Sequence, residues 1–191
     1  VSIESLGQGT IFADFFEGSN GDNLFLADTG DTVLMHDGDD GVQLGGAAAL
    51  IDGGAGIDSI TQILASTWVA DSDGDGFADE ISTTAGAYVD LRNGTMSDGF
   101  GNFGTLISIE NVGGSENGDT ILGSDGNNVL EGFAGDDYIY GWDGDDEIHG
   151  GDGDDYLAGE GSSAGGGFGN DALYGEAGDD YLRGGAGVDT Y

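Results

Sequence analysis

Large apolar residues recur along most of this chain at a step of nine, which suits neither an amphipathic helix nor a long alternating strand. In the C-terminal half they are Ile121, Leu130, Ile139, Ile148 and Leu157, and after seven extra residues Leu173, Leu182 and Tyr191. Two positions before each stands Asp119, Asn128, Asp137, Asp146, Asp155, Asp171, Asp180 or Asp189. The N-terminal part holds the same step, with Asp22, Asp31, Asp40 and Asp58 preceding Leu24, Val33, Val42 and Ile60. Ala49 breaks that series, although Ile51 keeps its apolar slot. The pattern predicts a six-residue turn followed by a three-residue strand whose central apolar side chain points inward. Two repeats complete one coil, and stacked coils give parallel ladders around a narrow aliphatic core.

Four segments follow. Residues 1–16 read as an N-terminal cap, with Phe15 in the apolar phase and Ala13 at the polar slot. Residues 17–61 form a first repeat block, and 114–191 a second, interrupted by the insertion 159–165 (GEGSSAG). The blocks are expected to be two separate rolls, each with its own cap. Between them, 62–113 is not a repeat array but a β-rich connecting segment. Its stretch IENV keeps Glu110 and Val112 in register with Asp119, which suggests an entry strand covering an open sheet edge. Its stretch TWVADSDGDGFADEI places Asp71, Asp73 and Asp75 before Gly76, like the first half of an EF-hand loop. Position twelve is Ser82 rather than Glu, while Asp79 and Glu80 lie close by. This predicts a single non-EF-hand cation site, the alternative being an acidic turn between two strands.

Charge then decides what can hold such a chain together. It carries Asp+Glu 38 against Lys+Arg 2, for a formal net charge of -36, with Gly 42. Self-repulsion and glycine entropy would favour disorder, yet 37% of residues are hydrophobic. A divalent cation reconciles the two. The same acidity excludes nucleic acid as a partner. No cysteine is present, so disulfides and thiolate metal sites are excluded, and no apolar run reaches a membrane span. There is no signal-peptide pattern, and Val1 and the mid-pattern Tyr191 suggest an excised piece of something longer.

Turns on one edge lie eighteen residues apart. One edge should stack Asp119, Asp137, Asp155 and Asp180, and the other Asn128, Asp146, Asp171 and Asp189. In the first block Asp22, Asp40 and Asp58 share an edge, while Asp31 faces Ala49. Carboxylates mixed with turn carbonyls suit Ca²⁺, and one ion between adjacent turns gives about eight sites, or nine with the connecting segment. The neutral Asn128 should weaken its site, and Ala49 should leave that of Asp31 poor or absent. Acidic residues at variable positions, such as Asp143, Asp152 and Asp154, are expected to be exposed turn residues.

The stretches GGAGIDSIT (53–61) and GGFGNDALY (166–174) both fit Gly-Gly-x-Gly-x-Asp-x-U-x, where U is a large apolar residue. In this the chain resembles the RTX, or hemolysin-type, calcium-binding nonapeptide-repeat proteins. The resemblance implies an all-β, right-handed parallel β-roll. It assigns calcium to the phased Asp or Asn and to the neighbouring turn glycines. In the first block these are Gly53, Gly54 and Gly56. In the second they are Gly132 and Gly135, Gly141 and Gly144, then Gly150, Gly151 and Gly153. They continue at Gly166, Gly167 and Gly169, at Gly175 and Gly178, and at Gly184, Gly185 and Gly187. It further implies secretion in an unfolded state and folding on extracellular calcium.

Catalysis is not expected. His36 and His149 lie on repeat segments without a catalytic context, and no Ser has an accompanying base. Two functions remain: a calcium-dependent structural or binding module of a secreted or cell-surface bacterial protein (adhesin, surface layer or filament), or the accessory roll of a secreted protease, lipase or polysaccharide-modifying enzyme. The partner classes are calcium, a second copy in self-assembly, and a cell-surface glycan or protein.

Overall fold

A computed structural model describes residues 15–27, 30–45, 50–62, 68–70, 79–81, 85–99, 101–161 and 168–191. Among them every regular element is a strand. The first repeat block contributes β1 (Phe15–Glu17), β2 (Leu24–Ala27), β3 (Thr32–Leu34), β4 (Gly41–Leu44), β5 (Leu50–Asp52) and β6 (Ser59–Gln62). The connecting segment contributes β7 (Trp68–Ala70), β8 (Asp79–Ile81), β9 (Tyr88–Asp90), β10 (Thr95–Ser97), β11 (Phe103–Ile107) and β12 (Asn111–Gly113). The second block begins with β13 (Thr120–Leu122), β14 (Val129–Ala134), β15 (Tyr138–Tyr140) and β16 (Glu147–Asp152). It ends with β17 (Tyr156–Ala158), β18 (Ala172–Ala177) and β19 (Tyr181–Arg183).

Successive repeat strands alternate between two sheets, as a coil of two repeats requires. The long sheet has the order β1-β3-β5-β11-β10-β9-β13-β15-β17-β19, and the short sheet β18-β16-β14-β12-β6-β4-β2. Pairing is parallel throughout, except where β10 runs antiparallel to β9 and β11. The fold is therefore a parallel β-roll. Between its sheets lie Val33, Ile51, Ile60, Val89, Ile121, Leu130, Ile139, Ile148, Leu157 and Leu173, all fully buried. One inward side chain per short strand buries nothing useful alone, so the core exists only once coils stack.

The two repeat blocks are not separate rolls. β6 of the first pairs with β12, and β12 pairs with β14 of the second, so the short sheet crosses the seam one strand at a time. In the long sheet the seam is filled by β11, β10 and β9. Their Leu106, Met96 and Val89 join the core, and Ile109 is buried in the turn before β12. The connecting segment carries enough apolar side chains in strand phase to continue the core. An open edge on each block is thereby removed. β7 and β8 form their own antiparallel pair, Trp68↔Ile81 to Ala70↔Asp79.

The phase near the N-terminus differs from the sequence reading by one residue. Phe25 pairs with Val42 and is 2% exposed, whereas Leu24 is 43% exposed. Phe16, not Phe15, pairs with Val33 and enters the core. The step from Phe25 to Val33 is eight, so counting back by nine lands on the opposite face of the strand. At the other end Tyr191 is exposed, and its hydroxyl accepts the Gly184 N–H.

Candidate metal centres along the turns

The turns along each edge of the roll place the phased carboxylates in columns. On one edge the Asp119 N–H donates to Asp137 Oδ1 (2.7 Å), Asp137 to Asp155 (2.9 Å) and Asp155 to Asp180 (3.0 Å). On the other, Asn128 donates to Asp146 (2.8 Å), Asp146 to Asp171 (3.0 Å) and Asp171 to Asp189 (3.1 Å). In the first block Asp40 donates to Asp58 (2.8 Å). Each carboxylate thus spends one oxygen on the neighbouring coil. The second oxygen is the informative one. Oδ2 of Asp40, Asp58, Asp137, Asp146, Asp155 and Asp171 is buried with no hydrogen-bond partner, an arrangement that costs free energy unless a cation completes it.

What surrounds those oxygens explains the first glycine of each turn. A Cβ on Gly132 would collide with Asp137 Oδ2 and approach the Gly150 carbonyl oxygen at 2.6 Å. The same pair of neighbours, the turn's own Asp and a carbonyl of the next coil, meets Gly114, Gly141, Gly150 and Gly159. Among the described residues no three His, Cys, Asp or Glu side chains converge; the oxygens are single carboxylates joined by carbonyls. That donor set fits a hard cation with oxygen ligands and flexible geometry, as Ca²⁺ is.

Electrostatics agree. Burial, partly offset by the N–H each accepts and reinforced by nearby carboxylates, pushes Asp58 up to about 6, Asp146 to about 7 and Asp137 to about 8. Asp119, Asp155 and Asp171 are raised by burial as well. Without a cation these groups favour protons.

Several positions differ from the sequence reading. Asn23, not Asp22, occupies the inner column: its N–H donates to Asp40 Oδ1 (2.6 Å), and the turn 18–23 (GSNGDN) parallels 123–128 (GSDGNN). Asp22 instead lies outside and accepts the Asp39 N–H (3.2 Å). It belongs to a second, outer column in which the bonds run the opposite way. There Asp154 donates to Asp136 (3.0 Å) and Asp179 to Asp154 (2.8 Å), while Asp145 donates to Asn127 (3.0 Å) and Asn170 to Asp145 (2.8 Å). Asp154 and Asp143 therefore clasp adjacent coils and are more than exposed charge; Asp143 accepts the Phe168 N–H (3.2 Å). The insertion sits inside a turn rather than before one. Gly159 takes the first-glycine place beside Asp171, the place expected for Gly166, while Gly169 lies nearer the turn's end. Glu160 within the insertion is buried and accepts the Ala186 N–H.

In seven turns the second position is left-handed whether or not it is glycine, whereas Ser19, Ser115 and Ser124 at that position are not. Gly54, Gly151 and Gly185 adopt it, and so do His36, Phe133, Trp142 and Glu176, at φ between 70° and 81°. The remaining turn glycines, Gly56, Gly135, Gly144, Gly153, Gly175, Gly178, Gly184 and Gly187, also line this tight packing. Asp31 is buried on its edge. Its partner Ala49, the loop residues Asp71, Asp73 and Asp75, and Gly166 and Gly167 lie outside the described residues; Asp79 and Glu80 are known only as backbone of β8.

Coils of parallel strands, joined by glycine turns that stack carboxylates with free inner oxygens, define a β-roll whose turns offer oxygen ligands to a cation. The model of one family, the RTX calcium-binding nonapeptide repeat, matches residues 8–34, 113–148, 143–163 and 166–191. These stretches cover more than half of the chain, which belongs to that family, and its repeats bind Ca²⁺. No curated protein matches. Among solved structures, the crystal structure of the extracellular lipase LipA from Serratia marcescens aligns at 23% identity and a TM-score of 0.38. The alignment covers 92% of this chain and 33% of that one, so the chain spans about a third of the lipase's length. Among the described residues no helix is long and apolar enough to cross a membrane.

Proposed function

We propose that the chain is a structural and binding module of a secreted or cell-surface bacterial protein, of the adhesin, surface-layer or filament kind, which folds on meeting extracellular calcium. The observation that carries this reading is the repeated buried Oδ2 without a partner. Six such oxygens among the described residues make the metal-free fold costly, and a cation supplied outside the cell removes that cost. On this reading about eight or nine ions bind in the turns, held by the inner-column Asp and Asn side chains with turn carbonyls. The chain itself acts as scaffold, not catalyst.

A partner-binding role is supported by the contrast between the two outer faces. Strands β13, β15, β17 and β19 contain no Asp or Glu, and they expose Tyr138 and Tyr181, with the half-buried Tyr156 stacked between them at centroid distances of 5.9 and 5.0 Å. In a chain this acidic, such a face suits a second copy or a cell-surface glycan or protein better than bulk water. The test of the central reading is far-ultraviolet circular dichroism with Ca²⁺ and with EGTA. The β signal should disappear in chelator and return with millimolar Ca²⁺; a chain that keeps it in EGTA contradicts the proposal.

A further inference from the structure

The seam between the blocks lacks a glycine turn, yet it rebuilds the same oxygen arrangement from other residues. A regular turn spans six residues, as in 53–58, whereas the chain passes from β11 to β12 through only Ser108, Ile109 and Glu110. Ser108 adopts φ 50°, which turns the backbone sharply. Its carbonyl oxygen then stands where a Cβ on Gly53 would be, next to Asp58 Oδ2, the place that the Gly150 carbonyl takes beside Gly132 and Asp137. Asp58 is fully buried, and its Oδ2 has no hydrogen-bond partner. Glu110 occupies the column between Asp58 and Asn128 and accepts the Asp58 N–H at 2.8 Å, with the longer side chain compensating for the shorter turn. Gly53, Asp58, Ser108 and Glu110 all lie outside the stretches that match the family.

We infer that the seam is itself a divalent-cation site, with Asp58 Oδ2 and the Ser108 carbonyl as ligands and the Glu110 carboxylate supplying the second charge. This rests on the calcium reading above and adds to it that the connecting segment makes calcium binding by the first block depend on the second. An ion held by Asp58 of the first block and Ser108 of the connecting segment, whose β12 pairs with β14 of the second block, joins all three into one folding unit.

Two measurements on the whole chain test this. Crystals of the wild-type protein grown in Ca²⁺ and exchanged into Tb³⁺ should show an anomalous peak between Asp58 and Ser108. Peaks at the regular turns with none at the seam overturn the inference. Native mass spectrometry in saturating Ca²⁺ should find one ion fewer in Glu110→Gln than in wild type, and no loss in Glu131→Gln, which removes a charge from the exposed face of the short sheet. Equal counts in all three proteins overturn it as well. A wild-type chain that binds no Ca²⁺ removes the underlying reading, and the seam site with it.

Discussion

The regular turns of the second block and the short turn at the seam hold the same strand register by different means. In the block, a turn such as 132–137 has a glycine where any side chain would intrude, and its Asp keeps a buried oxygen free. At the seam, 108–110 has no glycine; the buried side chain of Ile109 fills the interior, and Glu110 reaches the coil below. Turn chemistry can therefore change completely while the ladder continues, provided that an apolar residue reaches the core and a carboxylate reaches the neighbouring amide. On the proposed reading the block relies on a cation at each regular turn. The seam depends on packing as well.

The largest effect that would sharpen this contrast lies in the block. Replacing Asp137 and Asp155 together by Ala removes two adjacent inner-column carboxylates. The calcium midpoint for folding, followed by circular dichroism, should rise by about tenfold or more, since ion binding is linked to folding. Asp143→Ala loses only an outer clasp to Phe168 and should move the midpoint far less. Equal shifts would erase the distinction between the inner and outer columns. Next comes the seam. Ile109→Ala should cost about 2–5 kcal/mol in saturating Ca²⁺, read from denaturant unfolding, because the loss is one of packing. A cost that vanishes as calcium is raised would put the seam in the same class as the block.

The smallest effect is that of pH. Asp137 sits at about 8 in the folded chain because burial dominates, well above the roughly 3.9 of an unfolded Asp. The metal-free fold therefore binds more protons than the unfolded chain across that interval. Its stability is greatest below the unfolded value and declines as pH rises through the folded one. In EGTA, lowering the pH from 8 toward 4 should increase the β signal, whereas in Ca²⁺ the signal should stay nearly flat. A metal-free chain that loses structure on acidification would show that the buried carboxylates are not what opposes folding.

Much of this architecture was legible because apolar and acidic markers keep one phase from Asp119 to Asp189, and phase is what a stacked coil imposes. The errors have physical causes. Leu24, Phe25 and Leu26 are all apolar, so composition could not choose the inward residue, and one eight-residue step moved Asn23 into the column in place of Asp22. The turn motif GSNGDN, set beside GSDGNN, would have revealed the shift. The outer column was invisible because each of its bonds joins an ordinary variable Asp or Asn to an amide seventeen or more residues away. Gly159 was passed over for Gly166 because the insertion interrupts a turn, and the motif alone does not show which glycine faces Asp171. The union of the blocks was hidden by β9, β10 and β11, which break the repeat yet keep core-facing residues.

Those three strands also make the two sheets unequal. From β5 to β13 the long sheet takes four strand-to-strand steps, while from β6 to β14 the short sheet takes two. At about 4.8 Å per step, one wall gains roughly 10 Å over the other across the same stretch of core. Across the seam the long sheet therefore presents two more strands of outer surface than the short sheet does, so the two walls of the roll are unequal.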